Sequence, residues 1–86
     1  AFLIYPNFPN PFNSSTNLQI FLNNKGSISV TIFNLKGETI ENILIEDLNE
    51  GINYFKWKPN GIPSGVYFIK SSFNDYIQTQ KVLFVK

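Results

Sequence analysis

The reading of the fold turns on "TNLQIFL" at Thr16–Leu22 and "SISVTIF" at Ser27–Phe33, two runs in which apolar and polar residues alternate. In the first, Thr16, Leu18, Ile20 and Leu22 fall on one side, with Asn17 and Gln19 on the other. In the second, Ile28, Val30 and Ile32 oppose Ser27, Ser29 and Thr31. A period of two marks a strand with one buried face, because successive side chains leave a pleated backbone in opposite directions. The connecting "NNKG" has turn chemistry, and Gly26 tolerates positive φ, so the two runs are expected to pair as an antiparallel hairpin.

Downstream, "NLKG" (Asn34–Gly37) reads as a second turn before a strand through Thr39 to Ile45. "EDLNEG" closes on Gly51, and "INYFKW" extends to Trp57. "KPNGIPSG" is a loop punctuated by Pro59, Gly61, Pro63 and Gly65. "VYFIKSS" and "YIQTQKVLFVK" are β-rich segments with Asn74-Asp75 as the turn between them. No window has the i, i+3, i+4, i+7 spacing of an amphipathic helix. The pattern predicts an all-β, immunoglobulin-like antiparallel β-sandwich of about seven short strands. With no cysteine there is no disulfide, so packing alone must hold it. The expected core is Leu18, Ile20, Ile28, Val30, Ile32, Phe55, Trp57, Tyr67 and Ile69.

Upstream lies "YPNFPNPFNSST" (Tyr5–Thr16), whose prolines Pro6, Pro9 and Pro11 exclude a helix or central strand. Its aromatics are too many for a tether. The expectation is an extended, polyproline-like run with Asn10-Pro11 as a fixed turn, Phe8 and Phe12 docked on the sandwich, and Asn10 and Asn13 bonding their own backbone. Residues 1–15 are then a Pro/Asn-rich entrance segment packed on the domain, and residues 16–86 the sandwich. "AFLIY" is too short for a membrane span or a signal core, and a chain opening on "AFLIYPNFPN" reads as part of something longer.

Composition narrows the chemistry. The 86 residues suffice for one small domain, and their seven lysines are scattered singly in a chain of net charge +1 without arginine, unlike a nucleic-acid-binding face. Without histidine or cysteine there is no Ser-His triad and no imidazole or thiolate metal site, and no cofactor is expected. Ser64 in "GIPSG" mimics a nucleophile elbow but has no base to activate it. Asp47, Asn49 and Gly51 have calcium-loop spacing, but Lys58 stands where the bidentate glutamate belongs. The carboxylates Glu38, Glu41, Glu46, Asp47, Glu50 and Asp75 form no apolar pair suited to acid–base work, and Asn13-Ser14-Ser15 is a bare glycosylation triplet. Tyr54, Phe55, Trp57, Tyr67, Phe68 and Tyr76 offer rings for stacking on sugars, although Phe55 and Trp57, like Tyr67 and Ile69, share a face better spent on the core. Nothing here makes an enzyme.

"NFPNPFNSSTNLQIFL", "ISVTIFNLKGETI", "LNEGINYFKW", "PSGVYFIK" and the terminal "QTQKVLFVK" together resemble the type A C-terminal sorting domain of type IX secretion cargo, found in proteins exported by Bacteroidetes-lineage bacteria. The resemblance covers Asn7 to Lys86; its most distinctive parts are Asn7–Asn13, Gly65 with Tyr67, and Lys81 before an apolar end. The Ig-like repeat of the flagellar hook-capping family is a close relative through Trp57 and "SGVYF". Two turns depart from the pattern: Lys58-Pro59-Asn60-Gly61 replaces an aspartate-glycine, and Ser72-Phe73-Asn74-Asp75 replaces a small residue and glycine.

The resemblance implies an address and not a catalyst, carried at the C-terminus of a passenger that is secreted or attached at the cell surface. The implied partners are that passenger, the type IX outer-membrane translocon and a sortase-like peptidase. The signal candidates are Asn10, Pro11, Phe12, Asn13, Gly65, Tyr67 and Lys81, Val82, Leu83, Phe84, Val85, Lys86. The last six are expected to form a strand bracketed by gatekeeper lysines, with an accessible edge open to recognition by strand addition. Two other readings of the same residues are a carbohydrate-binding or adhesive Ig-like module and a structural packing domain.

Overall fold

Seven strands account for nearly all of the regular structure in the computed structural model, which describes residues 2–86. They are β1 (Phe2–Ile4), β2 (Thr16–Leu22), β3 (Gly26–Asn34), β4 (Thr39–Leu48), β5 (Gly51–Trp57), β6 (Gly65–Phe73) and β7 (Tyr76–Phe84). A three-stranded sheet of order β1-β2-β5 faces a four-stranded sheet of order β4-β3-β6-β7, and all pairings between strands are antiparallel. That is an immunoglobulin-type sandwich, as the alternation predicts.

The inward positions are the expected ones. Leu18, Ile20, Leu22, Ile28, Val30, Ile32, Trp57, Tyr67 and Ile69 are buried, joined by Phe2, Ile4, Phe12, Phe73, Val82 and Phe84. Phe55 is only half-buried and packs on the rim of this cluster. The expected hairpin does not form. β2 pairs with β1 and β5, while β3 pairs with β4 and β6, so Asn23–Lys25 carries the chain from one sheet to the other. Alternation states which face of a strand is buried and leaves its neighbour unspecified. Here both edges of β2 are satisfied by other strands. Gly26 is needed for space, not for positive φ: a Cβ there would lie 2.8 Å from Cε1 of Phe73.

β1 is a further departure, because a strand stands at the head of the entrance segment. Leu3 lies opposite Phe21, and Phe21 opposite Ile52, which leaves an exposed apolar row across the outer face of the three-stranded sheet.

Local chemistry closes the turns. Gly37 takes φ 83°, and Asn34 holds its loop by accepting the Lys36 and Glu38 N–H groups on Oδ1. Asn74, at φ 54°, and Asp75 form the two-residue connection between β6 and β7. At the start of β6 the Tyr67 hydroxyl donates to Pro63 O at 2.6 Å, the tyrosine corner of this fold class. Tyr67→Phe keeps the ring and leaves that carbonyl without its donor. It is expected to lower the unfolding free energy by about 1–2 kcal/mol, readable as a shift in denaturant midpoint at constant slope. An unchanged midpoint would show the hydroxyl to be idle.

Candidate functional site

β7 sits at the margin of the four-stranded sheet, paired on one side with β6 from Phe73↔Tyr76 to Gly65↔Phe84. In an antiparallel ladder alternate residues aim their main-chain groups to opposite sides. Lys81, Leu83 and Val85 therefore present theirs outward, where the sequence predicts a free edge. The edge is taken. Phe12 N–H donates to Leu83 O at 3.0 Å, and Val85 N–H donates to Phe12 O at 2.8 Å, forming a parallel bridge between Phe12 and Phe84.

Just upstream, the two prolines have no N–H to offer, and the Asn10 carboxamide substitutes for a peptide group. Its Oδ1 accepts from Leu83 N–H at 2.9 Å, and its Nδ2 donates to Lys81 O at 3.2 Å. This corrects the expectation that Asn10 serves its own backbone. Further along, glutamines of β7 continue the closure. Gln78 Oε1 accepts from Ile4 N–H at 2.6 Å, and Gln80 Oε1 accepts from Asn7 N–H at 2.8 Å. Covering an edge with a loop removes a template for unwanted strand pairing.

The strap itself is fixed from beneath. Asn7 is buried and donates from Nδ2 to Thr16 Oγ1 at 2.8 Å, and the Thr16 hydroxyl donates to Pro9 O at 2.8 Å. The Phe8-Pro9 and Asn10-Pro11 peptide bonds are cis, in place of the expected polyproline-like run. Phe12 is 3% exposed, with its ring centroid 5.6 Å from Trp57 and 5.1 Å from Phe84. Phe8 does not dock. Its ring is 77% exposed, because its main chain is tied to Asn17 on both sides and the side chain is turned to solvent. Asn13 is exposed at the end of the strap.

The candidate residues therefore divide. Asn10, Phe12 and Lys81–Lys86 meet in one place. Gly65 lies opposite Phe84 at the same end of the sheet, whereas Tyr67 is a buried corner residue. β7 ends at Phe84, short of the expected Lys86; Val82 and Phe84 are core, while Lys81, Leu83, Val85 and Lys86 are exposed, so apolar residues point both ways and only one side is covered. Ser64 accepts the Lys86 N–H on Oγ at 2.8 Å, a contact that pins the chain end.

The rings considered for sugar stacking form no common platform. Trp57 and Tyr67 are core, with Trp57 Nε1 donating to Glu41 Oε1 at 3.1 Å. Tyr54, 71% exposed, projects from the outer face of the three-stranded sheet, while Tyr76 packs edge-on to Phe2 at the β6–β7 hairpin. Among the described residues every buried side-chain nitrogen and oxygen has a hydrogen-bond partner, and no three acidic groups gather as a metal site would need.

Comparison with known proteins agrees with this geometry. A crystal structure of dimeric latent PorU from Porphyromonas gingivalis superposes on 99% of this chain and 9% of that one, with a TM-score of 0.75 at 17% identity. The chain thus spans under a tenth of that protein's length, and the likeness is one of fold. No curated protein matches. The family described as the secretion system C-terminal sorting domain matches residues 4–86, so the strap and strands β2 to β7 fall within it, and the chain belongs to that family.

Proposed function

We propose that this sorting domain is read as a folded body, with its clasped C-terminal strand as the element that the outer-membrane machinery recognises. Domains of the family are C-terminal sorting signals for type IX secretion, which carry their passengers out of the cell and to its surface. The proposal adds the partners and the residues. The translocon reads Lys81–Lys86 in the setting of Asn10–Asn13, and a sortase-like peptidase acts on the join with the passenger. The domain contributes no catalysis of its own. Its entrance segment (residues 1–15), docked on the sandwich through β1 and through the contacts of Asn10 and Phe12 with β7, sets the position of the passenger relative to the domain.

One observation carries this reading: the entrance segment is hydrogen-bonded to the last strand at Lys81, Leu83 and Val85. These bonds hold the entrance segment against the last strand, and on this reading they tie the passenger side of the domain to the strand that is recognised. A receptor that engages β7 holds the passenger junction at a fixed position.

Lys81→Glu combined with Lys86→Glu tests it, because both residues are exposed and neither belongs to the core. The melting temperature is expected to stay within about 2 °C of the parent. A reporter carrying the variant domain in a type IX-competent host is expected to remain cell-associated. Export at the parental level would remove these lysines from the signal.

A further inference from the structure

We infer that the outer face of the β3-β6-β7 part of the four-stranded sheet is the docking surface for the export receptor, and that it fits a protein surface with an apolar centre bordered by carboxylates. The inference rests on the reading of β7 above and names the face and the partner chemistry that this reading requires.

The face follows by elimination. One edge of β7 is paired with β6, the other is covered by the strap, and Val82 and Phe84 point into the core. What remains is the outward stripe Ile77, Thr79, Lys81, Leu83 and Val85, all exposed. Side chains directly opposite one another in an antiparallel pair share a face, so the register extends this stripe across the sheet. Leu83 lies beside Val66, and Lys81 beside Phe68, which in turn lies opposite Phe33. The next row is Thr79, Lys70 and Thr31, and the one after it Ile77, Ser72 and Ser29.

Phe33, Phe68 and Val66 are half-buried although they point outward, so the face is apolar where clean alternation would place serine or threonine. Its charges are Lys70 and Lys81, and no aspartate or glutamate stands at an outward position in these rows. Five of the chain's six acidic residues lie between Glu38 and Glu50, on and around β4, the strand that borders this face beyond β3. An apolar centre with two cations and no anion complements carboxylates on a partner. Two lysines are a small charge for an anionic lipid surface, where each contributes only about 1 kcal/mol, and the half-buried rings lie within the sheet surface instead of projecting as membrane anchors. A protein is the better fit.

The test places a photo-crosslinking residue at Thr79 in the domain fused to an exported passenger, with Lys56 on the opposite sheet as the control position. Crosslinking in a type IX-secreting host is expected to join Thr79 to a protein of the outer-membrane translocon and Lys56 to none. Adding Lys70→Glu is expected to lower the Thr79 crosslink and the exported passenger about tenfold, with the melting temperature unchanged. Equal crosslinking from both positions, crosslinks only to lipid or lipopolysaccharide, or full yield in Lys70→Glu would each overturn the inference. Lys70 lies outside Lys81–Lys86, so failure here is distinguishable from normal export of the Lys81→Glu, Lys86→Glu variant, which strikes the underlying reading itself.

Discussion

Trp57→Ala is expected to lower the unfolding free energy by about 3–5 kcal/mol, the usual cost of deleting a large buried ring. For a domain of this size that is a major share of a total of roughly 5–10 kcal/mol. Trp57 ends β5, opposite Thr16 at the start of β2, and is one of the largest fully buried side chains. Its ring contacts Phe12 of the strap at 5.6 Å and Tyr67 of β6 at 6.3 Å between centroids, so it joins both sheets and the clasp. The indole N–H reaches Glu41 of β4 and leaves no buried donor unpaired. Truncation therefore removes packing from three directions and leaves a cavity that rigid strands cannot close. Chemical denaturation monitored by far-UV circular dichroism would measure the loss. A midpoint equal to that of the parent would mean that the ring is not the joint between the layers.

How much of this is legible in the sequence depends on the range of each interaction. Ile28, Val30 and Ile32 announce their buried face because alternation is a local property of one strand. The partner of that strand is not local, which is why adjacent β2 and β3 read as a pair and instead lie in different sheets. Phe8 and Phe12 are each followed or preceded by proline and look equivalent in sequence. Only their distant partners separate them: Phe12 sits between Trp57 and Phe84, whereas the main chain of Phe8 is tied to Asn17 and its ring faces solvent. Asn10 is hidden in the same way, since its role as a peptide substitute exists only beside Lys81 and Leu83. The Tyr67 corner did carry a signal: a proline four residues before a tyrosine at the start of a late strand. So did the outer face, because Phe33, Val66 and Phe68 break the alternation at positions where solvent-facing residues belong.

Phe12→Ser is expected to open the strap while leaving the seven-stranded body folded. The ring is the strap's one aromatic anchor in the core, held between Trp57 and Phe84, whereas Phe8 stays in solvent. Replacing it with serine removes apolar burial worth about 2 kcal/mol and adds a hydroxyl that the site gives no partner. The main-chain bonds from Phe12 to Leu83 and Val85 then lack the packing that excludes water from them, and the Asn10 contacts are already exposed. A loss of that size raises the open population of a segment roughly thirtyfold if it falls on local opening and not on global unfolding. Protease cleavage within Asn7–Asn13 is expected to accelerate by a similar factor, with β2 to β7 surviving as one resistant fragment. Fragments cut throughout the sandwich would instead place Phe12 among the residues that hold the two sheets together. A cleavage rate equal to the parent's would leave the hydrogen bonds to β7 sufficient to keep the strap closed. Because the same edge is what a freed strap would uncover, the variant also exposes Lys81, Leu83 and Val85 to strand addition. Concentration-dependent association of the Phe12→Ser protein, absent in the parent, is the expected companion result.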